Sequence, residues 1–454
     1  MITPPIPPSR PAGRGLLRTW QSAKRNLFAA LPERLYRAWL AETRTPLFTS
    51  YLVNQPSLVR QVLVERPEDF PKSGVQARAL GDLLGRSVFV TNGAEWARAR
   101  RLIGPALASS RPALSFDAML TAAEEMAERL PLGPVEIEAQ TSHAAADVIC
   151  RTMFSLPVDG ALARQVFDAF RRYQRAAPMV SLADLAGLPG WLKLSPRRRR
   201  QARAAAEIRA LLAQLVALRA AEIEAGRAPD DLATALMTAT DPETGAGFSH
   251  AEVIDQIGVF FLAGHDTSAS ALAWALYCVA ADPEIQDRLA REAAPVFARR
   301  PGPRDIAQLR LSRDVFRETL RLYPPVAMMV REASGPERWR GKRITPGSPI
   351  VLSPWHLGRH RRLWRAPDRF DPDRWATPQA KATAREAWLP FSAGPRACPG
   401  AGFALQEGVL MLSLLVSRFR FSPVPGREPE PVLHLTVRAR DGIWLQVSPR
   451  TPEG

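Results

Sequence analysis

The chain has 454 residues, 46% of them hydrophobic and 23% charged, which supplies apolar side chains for a sizeable core and excludes wholesale disorder. Lys plus Arg exceed Asp plus Glu by 61 − 45 = 16, a positive balance that fits nucleic acid, an anionic membrane surface or an acidic protein partner without choosing among them. The three cysteines, Cys150, Cys278 and Cys398, are too scattered for a disulfide framework or paired zinc-knuckle spacing, and this points to a reducing compartment.

Residues 1–15 read as a flexible, basic, proline-rich leader without a signal-type apolar core. No run of 18 uncharged apolar residues follows anywhere, so a cytoplasmic protein without a transmembrane segment is expected. Residues 16–43 space Leu17, Trp20, Leu27, Leu31, Leu35 and Trp39 as an amphipathic helix would; it packs onto the body or, alternatively, rests weakly on a membrane surface. Residues 46–53 alternate like a strand, and 56–65 have the spacing of a short helix. From 118 to 228 the pattern is almost wholly helical, with breaks at Pro157, Pro178 and residues 188–190. Within it Arg197 to Arg200 open a long Ala/Leu helix; with no aromatic residues interleaved they read as a solvated first turn, and no nucleic-acid partner is expected.

Ser249-His-Ala-Glu252 is a capping box opening a helix that runs to about residue 281, about 48 Å at 1.5 Å per residue. Phe260-Phe261-Leu262 argue against a solvated middle, so this helix should cross the core. Another helix starts near Ser312 and is stopped by Pro324-Pro325. Strand-like segments return at 330–332, 350–353 and 433–447. With no internal repeat and no linker after the leader, residues 16–454 are expected to form one domain, mainly α with small dispersed sheets (α+β).

Cys398 carries the strongest chemical signal. It lies in Phe391-Ser-Ala-Gly-Pro-Arg-Ala-Cys-Pro-Gly400, just before a stretch, 401–419, that is apolar nearly all round. Pro399 suits a first helical position and Cys398 the cap, where the helix dipole and backbone N–H groups favour thiolate. A thiolate on a glycine-flanked loop serves as nucleophile, redox thiol or metal ligand, and Gly394 and Gly400 let backbone approach a large flat group.

The pattern Phe391-x-x-Gly394-x-Arg396-x-Cys398-x-Gly400 resembles the heme-binding loop of the cytochrome P-450 family at every signature position. The resemblance implies that Cys398 is the proximal thiolate of heme b and that Arg396 pairs with a propionate. Glu318-Thr-Leu-Arg321 resembles the family's Glu-x-x-Arg helix, and Phe370-Asp-Pro-Asp-Arg374-Trp375 its Pro-Glu-Arg-Phe segment, with Asp and Trp as variants. Arg374 is thus the expected third member of a buried structural network. Ala263-Gly264-His265-Asp266-Thr267 resembles the oxygen-binding segment: Thr267 would hydrogen-bond dioxygen, Asp266 relay protons, Gly264 belong to the cofactor site, and His265 pack or cap. Trp96 and Arg100, spaced on one helical face, and Arg331 match further propionate residues.

The implied function is a heme-thiolate monooxygenase that inserts one oxygen atom of O2 into a lipophilic substrate, hydroxylation first among such reactions. Its rivals are a peroxide-driven peroxygenase, against which the Asp266-Thr267 pair argues, and a non-catalytic heme sensor or carrier. Electrons would come from a ferredoxin or flavodoxin with its reductase, docking on Arg98, Arg101, Arg359, Arg361 and Arg362. A monomer is expected. The segments implied to line the substrate pocket are residues 75–90, 167–181, Phe260, Ala263, 326–329 and 435–437; they are largely apolar, and Arg78 and Arg86 either steer a carboxylate or face solvent.

Overall fold

The computed structural model describes residues 2–7, 9, 26–44, 48–109, 112–176 and 196–450. A helix-rich body surrounds the 31-residue helix His250–Ala280, which is buried along most of its length and packs lengthwise on Ile137–Phe154. Its start is fixed as the sequence predicts: the Ser249 N–H donates to Glu252 at 2.8 Å, and the Glu252 N–H donates back to the Ser249 hydroxyl. Near its far end Trp274 stacks on Tyr323 at 4.0 Å, which ties the central helix to the segment that follows Arg310–Leu322.

The sheets are small and assembled from distant parts of the chain. Leu40–Arg44, Thr49–Val53, Pro349–Leu352 and Met329–Glu332 lie side by side in that order, with only the middle pair parallel. Gly133–Glu136, Trp444–Pro449 and Phe419–Pro423 form a second sheet, and Pro431–Leu433 pairs with Val437–Ala439 in a short hairpin. Pro196–Glu224 is the long helix foreseen after residue 196. Ala401–Arg418 alone among the described residues is long and apolar enough to cross a membrane, yet just over half of it is buried inside the fold.

Three expectations change. The single helix over 16–43 is not formed by its described part: Leu27–Ala30 ends at Pro32, a 3-10 turn follows at Glu33–Tyr36, and Leu40–Arg44 is a strand; residues 16–25 lie outside the described residues. Proline removes the N–H that a continuing helix needs, so the apolar spacing serves separate short elements. Residues 2–7 of the expected leader lie against the body, where the Phe370 N–H donates to the Ile2 carbonyl at 3.0 Å and the Tyr323 hydroxyl to the Pro5 carbonyl at 2.7 Å. Residues 10–15, the strand positions 46 and 47, and the break at 188–190 lie outside the described residues. Finally, the helix over 56–65 turns from α at Pro56–Arg60 to a π turn at Gln61–Glu65, and the Cys398 loop rests on that turn.

Candidate functional site

The loop from Phe391 to Gly400 is closed by the Cys398 N–H, which donates to the Phe391 carbonyl at 2.9 Å. Gly394 has φ +70°, and a Cβ there would stand 1.9 Å from the Leu63 carbonyl oxygen. Only glycine allows the loop to press onto the π turn. The helix behind the loop begins at Ala401 with Gly400 as its cap, so Cys398 sits before the cap rather than at it. Its side chain is exposed on one side and crowded by protein on the others; burial pushes the thiol up, and the Gly400 N–H and Arg100 offset this only in part. The expected thiolate is therefore not favoured by the helix end alone, because desolvation outweighs it. A thiol in this state gives up its proton on coordinating a metal. Cys150 and Cys278 are fully buried, their thiols also pushed up by burial, and neither has a loop of this kind.

Beside the loop four cations converge. Arg396 lies over Trp96 at 5.0 Å, Lys72 over the same ring at 5.7 Å, Arg100 donates to the Ala397 carbonyl at 3.1 Å, and Lys72 and Arg331 are paired across a β-bridge. Burial, and then the neighbouring Arg331, Arg396 and Arg100, press Lys72 down to about 7; burial and Arg396 lower Arg331 to about 10. The carboxylate paired with this group is Glu68, exposed and 3.5 Å from Arg396, and Arg396 Nε is buried without a partner. Buried cations that repel one another need an anion. The donor set thus fits a group with carboxylates, as the propionates of heme provide, which Arg100, Arg331 and Arg396 beside Trp96 would hold; Lys72 Nζ already donates to the Val88 and Thr91 carbonyls at 2.6 and 2.9 Å.

The central helix is buried except at its first turn, residues 250–252, and near its middle, where Ala263 is exposed and Phe260, Gly264, Thr267 and Ser268 are half-buried. A Cβ on Gly264 would meet Ile149 at 2.3 Å, so glycine here allows the close packing of two helices. Thr267 donates its hydroxyl proton to the Ala263 carbonyl at 2.5 Å, which leaves its lone pairs as acceptors. Asp266 is buried and accepts from Gln174 at 3.0 Å and from Arg438; burial opposes its ionisation, but Arg438 prevails and holds the carboxyl below its ordinary range. His265 packs edge-on to Phe167 at 5.4 Å and shares a 2.8 Å hydrogen bond with Ser142, and burial lowers it to about 4, so it is neutral. The neighbouring Ser268 donates at 2.5 Å to Glu407, whose carboxyl burial pushes up to about 8.

The structure also brings Glu318, Arg321 and Arg374 together. Arg321 grips both oxygens of Glu318 at 2.8 and 2.9 Å, and Arg374 Nε and the Asp371 N–H add bonds of 2.8 and 3.0 Å. The remaining guanidinium N–H groups donate to the carbonyls of Gly358, Pro367, Arg369, Arg365 and Ala366. From this network a row of rings, Trp364, Trp375, Trp388 and Phe391, each about 6 Å from the next, leads to the cysteine loop.

A cytochrome P-450 family model matches residues 32–447. The chain belongs to the cytochrome P-450 family. It is 35% identical over 399 residues to cyclooctat-9-en-7-ol 5-monooxygenase of Streptomyces melanosporofaciens, covering 85% of this chain and 83% of the relative. Pentalenene oxygenase of Streptomyces avermitilis is 30% identical over 418 residues, 91% of each chain. Cyclooctatin synthase of Streptomyces melanosporofaciens is 31% identical over 407 residues, 87% of this chain and 86% of that one. As a member of this P-450 family the chain is a heme-thiolate monooxygenase, with heme b as its cofactor, acting on lipophilic substrates with electrons from a redox partner.

Sequence reasoning missed Lys72, Arg438 and Glu407. Glu407 had a signal, an acid alone within an apolar helix; Arg438 and Lys72 had none. The expected docking group also changes, since Arg359 is fully buried over Trp355 at 3.8 Å, while Arg98, Arg101 and Arg361 are held in ion pairs with Glu252, Asp241 and Glu33. Arg78 and Arg86 face solvent, Arg86 paired with Glu95 at 2.7 Å, and neither is placed to steer a carboxylate. Gly74–Leu84 is a helix, and the part of the expected pocket segment from 177 to 181 lies outside the described residues.

Proposed function

We propose that this P-450 hydroxylates a cyclic terpenoid-like hydrocarbon skeleton, with Cys398 as the residue that would hold the heme iron through its sulfur and Asp266 and Thr267 as the residues that serve the oxygen. The observation that carries this reading is the break in burial around Ala263, Gly264, Thr267 and Ser268, in the middle of a helix that is shut into the core beyond its first turn. When bound, heme supplies dioxygen binding and its reductive activation. The chain's own residues do the rest. Arg100, Arg331 and Arg396 would orient the two carboxylates, and the half-buried Phe260 and exposed Ala263 of the central helix offer apolar surface to a lipophile. Thr267, whose proton is engaged by the Ala263 carbonyl, can accept a hydrogen bond from a water or a protonated oxygen beside it. Asp266 stays ionised, and Glu407 keeps its proton at neutral pH, so base and acid flank the same turn of helix.

Relatives named for cyclooctat-9-en-7-ol and pentalenene support the substrate class. An acidic ferredoxin or flavodoxin with its reductase suits the net charge of +16. The test is a panel of cyclic terpenoids offered to the heme-loaded protein with a surrogate ferredoxin and reductase under isotopically labelled dioxygen. A Soret shift on binding, and a product carrying one labelled oxygen atom, are the expected results. Turnover only with added peroxide would install the peroxygenase reading, and ligand binding without any product the sensor or carrier.

A further inference from the structure

Asp266 is the expected relay acid, yet every contact it makes leads to another element. Its Oδ1 accepts from Gln174 Nε2 at 3.0 Å, on the helix Ala161–Ala176, and from Arg438, on the strand Val437–Ala439. Arg438 is held on both sides by its backbone. The Val437 carbonyl accepts from Ser270 at 2.6 Å and Trp274 at 3.0 Å, both on the central helix, and the Val437 N–H donates to the Pro325 carbonyl at 3.0 Å. On the other side the Ala439 N–H donates to Glu138 at 3.2 Å. A strand pinned at three points presents its one cation to a buried carboxylate.

We propose that Arg438 is a positioning residue for oxygen activation: fixed by the hairpin, it keeps Asp266 charged and aimed at the Arg438–Gln174 side, so that Asp266 acts as a base that orders water and not as the proton source. The inference rests on the monooxygenase reading above. A desolvated carboxylate without its cation would take up a proton near neutral pH. The other titratable or charged groups around the pair are His265 on the central helix, Glu138 on Ile137–Phe154, Glu136 beside it, Arg171 on Ala161–Ala176 and His434 in the hairpin. Glu138 is pushed up to about 7 by burial despite Arg438. Arg438 therefore stands between two buried carboxyls and compensates one of them fully only while the other is protonated.

The test uses the heme-loaded protein and the variants Arg438→Gln, Arg438→Lys and Asp266→Asn. In the dioxygen assay Arg438→Gln should move the acid limb of kcat upward by about one to three pH units, the range that an opposite charge exerts on a neighbouring carboxyl. It should also divert more electrons to peroxide, and Arg438→Lys should restore most of both. A readout independent of turnover is the unfolding midpoint against pH. The gap between wild type and Arg438→Gln should shrink as pH falls from 7 to 3, and the same substitution made on Asp266→Asn should show a gap that changes only near pH 7, where Glu138 titrates, and is flat from about pH 5 to 3. An unmoved acid limb together with a pH-independent stability gap would overturn the proposal, as would equal damage in the Gln and Lys variants. Should wild type work only with peroxide, the monooxygenase reading fails and the stability gap alone decides the inference. Should Arg438→Gln not load heme, Asp266→Asn against wild type carries the test: with Asp266 held below its ordinary range, that stability gap should shrink as pH falls from 7 to 3, and a gap independent of pH would overturn the proposal.

Discussion

Removing the Glu318 carboxylate tests how the fold holds its cysteine loop. The network sets two guanidinium groups against Glu318, with the partly exposed Asp371 carboxylate 4.0 Å from Arg374, in a site where Glu318 and Arg321 are at most 1% exposed. Glu318→Ala deletes four hydrogen bonds, two from Arg321, one from Arg374 and one from the Asp371 N–H. Charge-assisted bonds contribute about 1.5–3 kcal/mol each when counted singly, but they share one acceptor group and do not add. The backbone carbonyls around both arginines remain in place. The loss should therefore be about 3–5 kcal/mol, the usual cost of stranding a buried charge, which is a large part of the 5–15 kcal/mol typical of a whole domain. Urea unfolding and heme content per chain measure it. Glu318→Gln, which keeps the shape and part of the bonding, should fall between wild type and Ala. Normal heme content and an unchanged unfolding midpoint in Glu318→Ala would refute the reasoning, since they would mean that the carbonyls alone solvate both cations.

Thr267→Ala should leave heme and ligand binding intact, raise the peroxide released per electron pair consumed, and reduce peroxide-driven product much less; unchanged coupling under dioxygen would remove Thr267 from its assigned place. His265 is buried and neutral with a value of about 4, below the ordinary histidine value of about 6.5 that its unfolded state would have. The unfolded chain thus binds the proton first, so stability is complete above about pH 6.5 and declines as pH falls toward 4, by about 2 kcal/mol at pH 5 from this residue. His265→Gln should flatten that part of the unfolding curve, and an identical acid slope would show that the imidazole titrates normally. Reduction by an acidic ferredoxin should slow as salt rises from about 0.05 to 0.5 M, because the screening length falls to a few Å; a rate independent of salt would leave the +16 charge without a role in docking.

The sequence made legible those features whose cause is local. Ser249 and Glu252 declare the start of the central helix because a capping box needs only four adjacent residues, and Pro324-Pro325 declares the end of another. The cysteine loop was readable because Gly394, Arg396 and Cys398 are constrained by one short turn. What failed was local pattern overridden by distant contacts. Residues 40–44 have helix-like spacing yet pair as a strand with 49–53, and residues 2–7 look like a free leader yet bond to Phe370 and Tyr323. The closeness of Gly264 to Ile149 on the neighbouring helix is likewise invisible in the sequence. Lys72 and Arg438 reach the site from segments with no motif, and only the assembled fold shows a cation cluster around Trp96 or a counter-ion on Asp266. The acidity of Cys398 was misjudged for a related reason, since the helix end is visible in sequence whereas the burial that opposes it is not.

The most direct test of the central claim, that Cys398 is the thiolate ligand of a heme in this fold, is the carbon monoxide difference spectrum of the reduced, heme-loaded protein alongside its three cysteine variants. Wild type, Cys150→Ala and Cys278→Ala should all show the thiolate-type band, and Cys398→Ser should lose it while still binding some heme through the Arg100, Arg331 and Arg396 cluster. A thiolate-type band that persists in Cys398→Ser, or its absence from the wild type, would contradict the account.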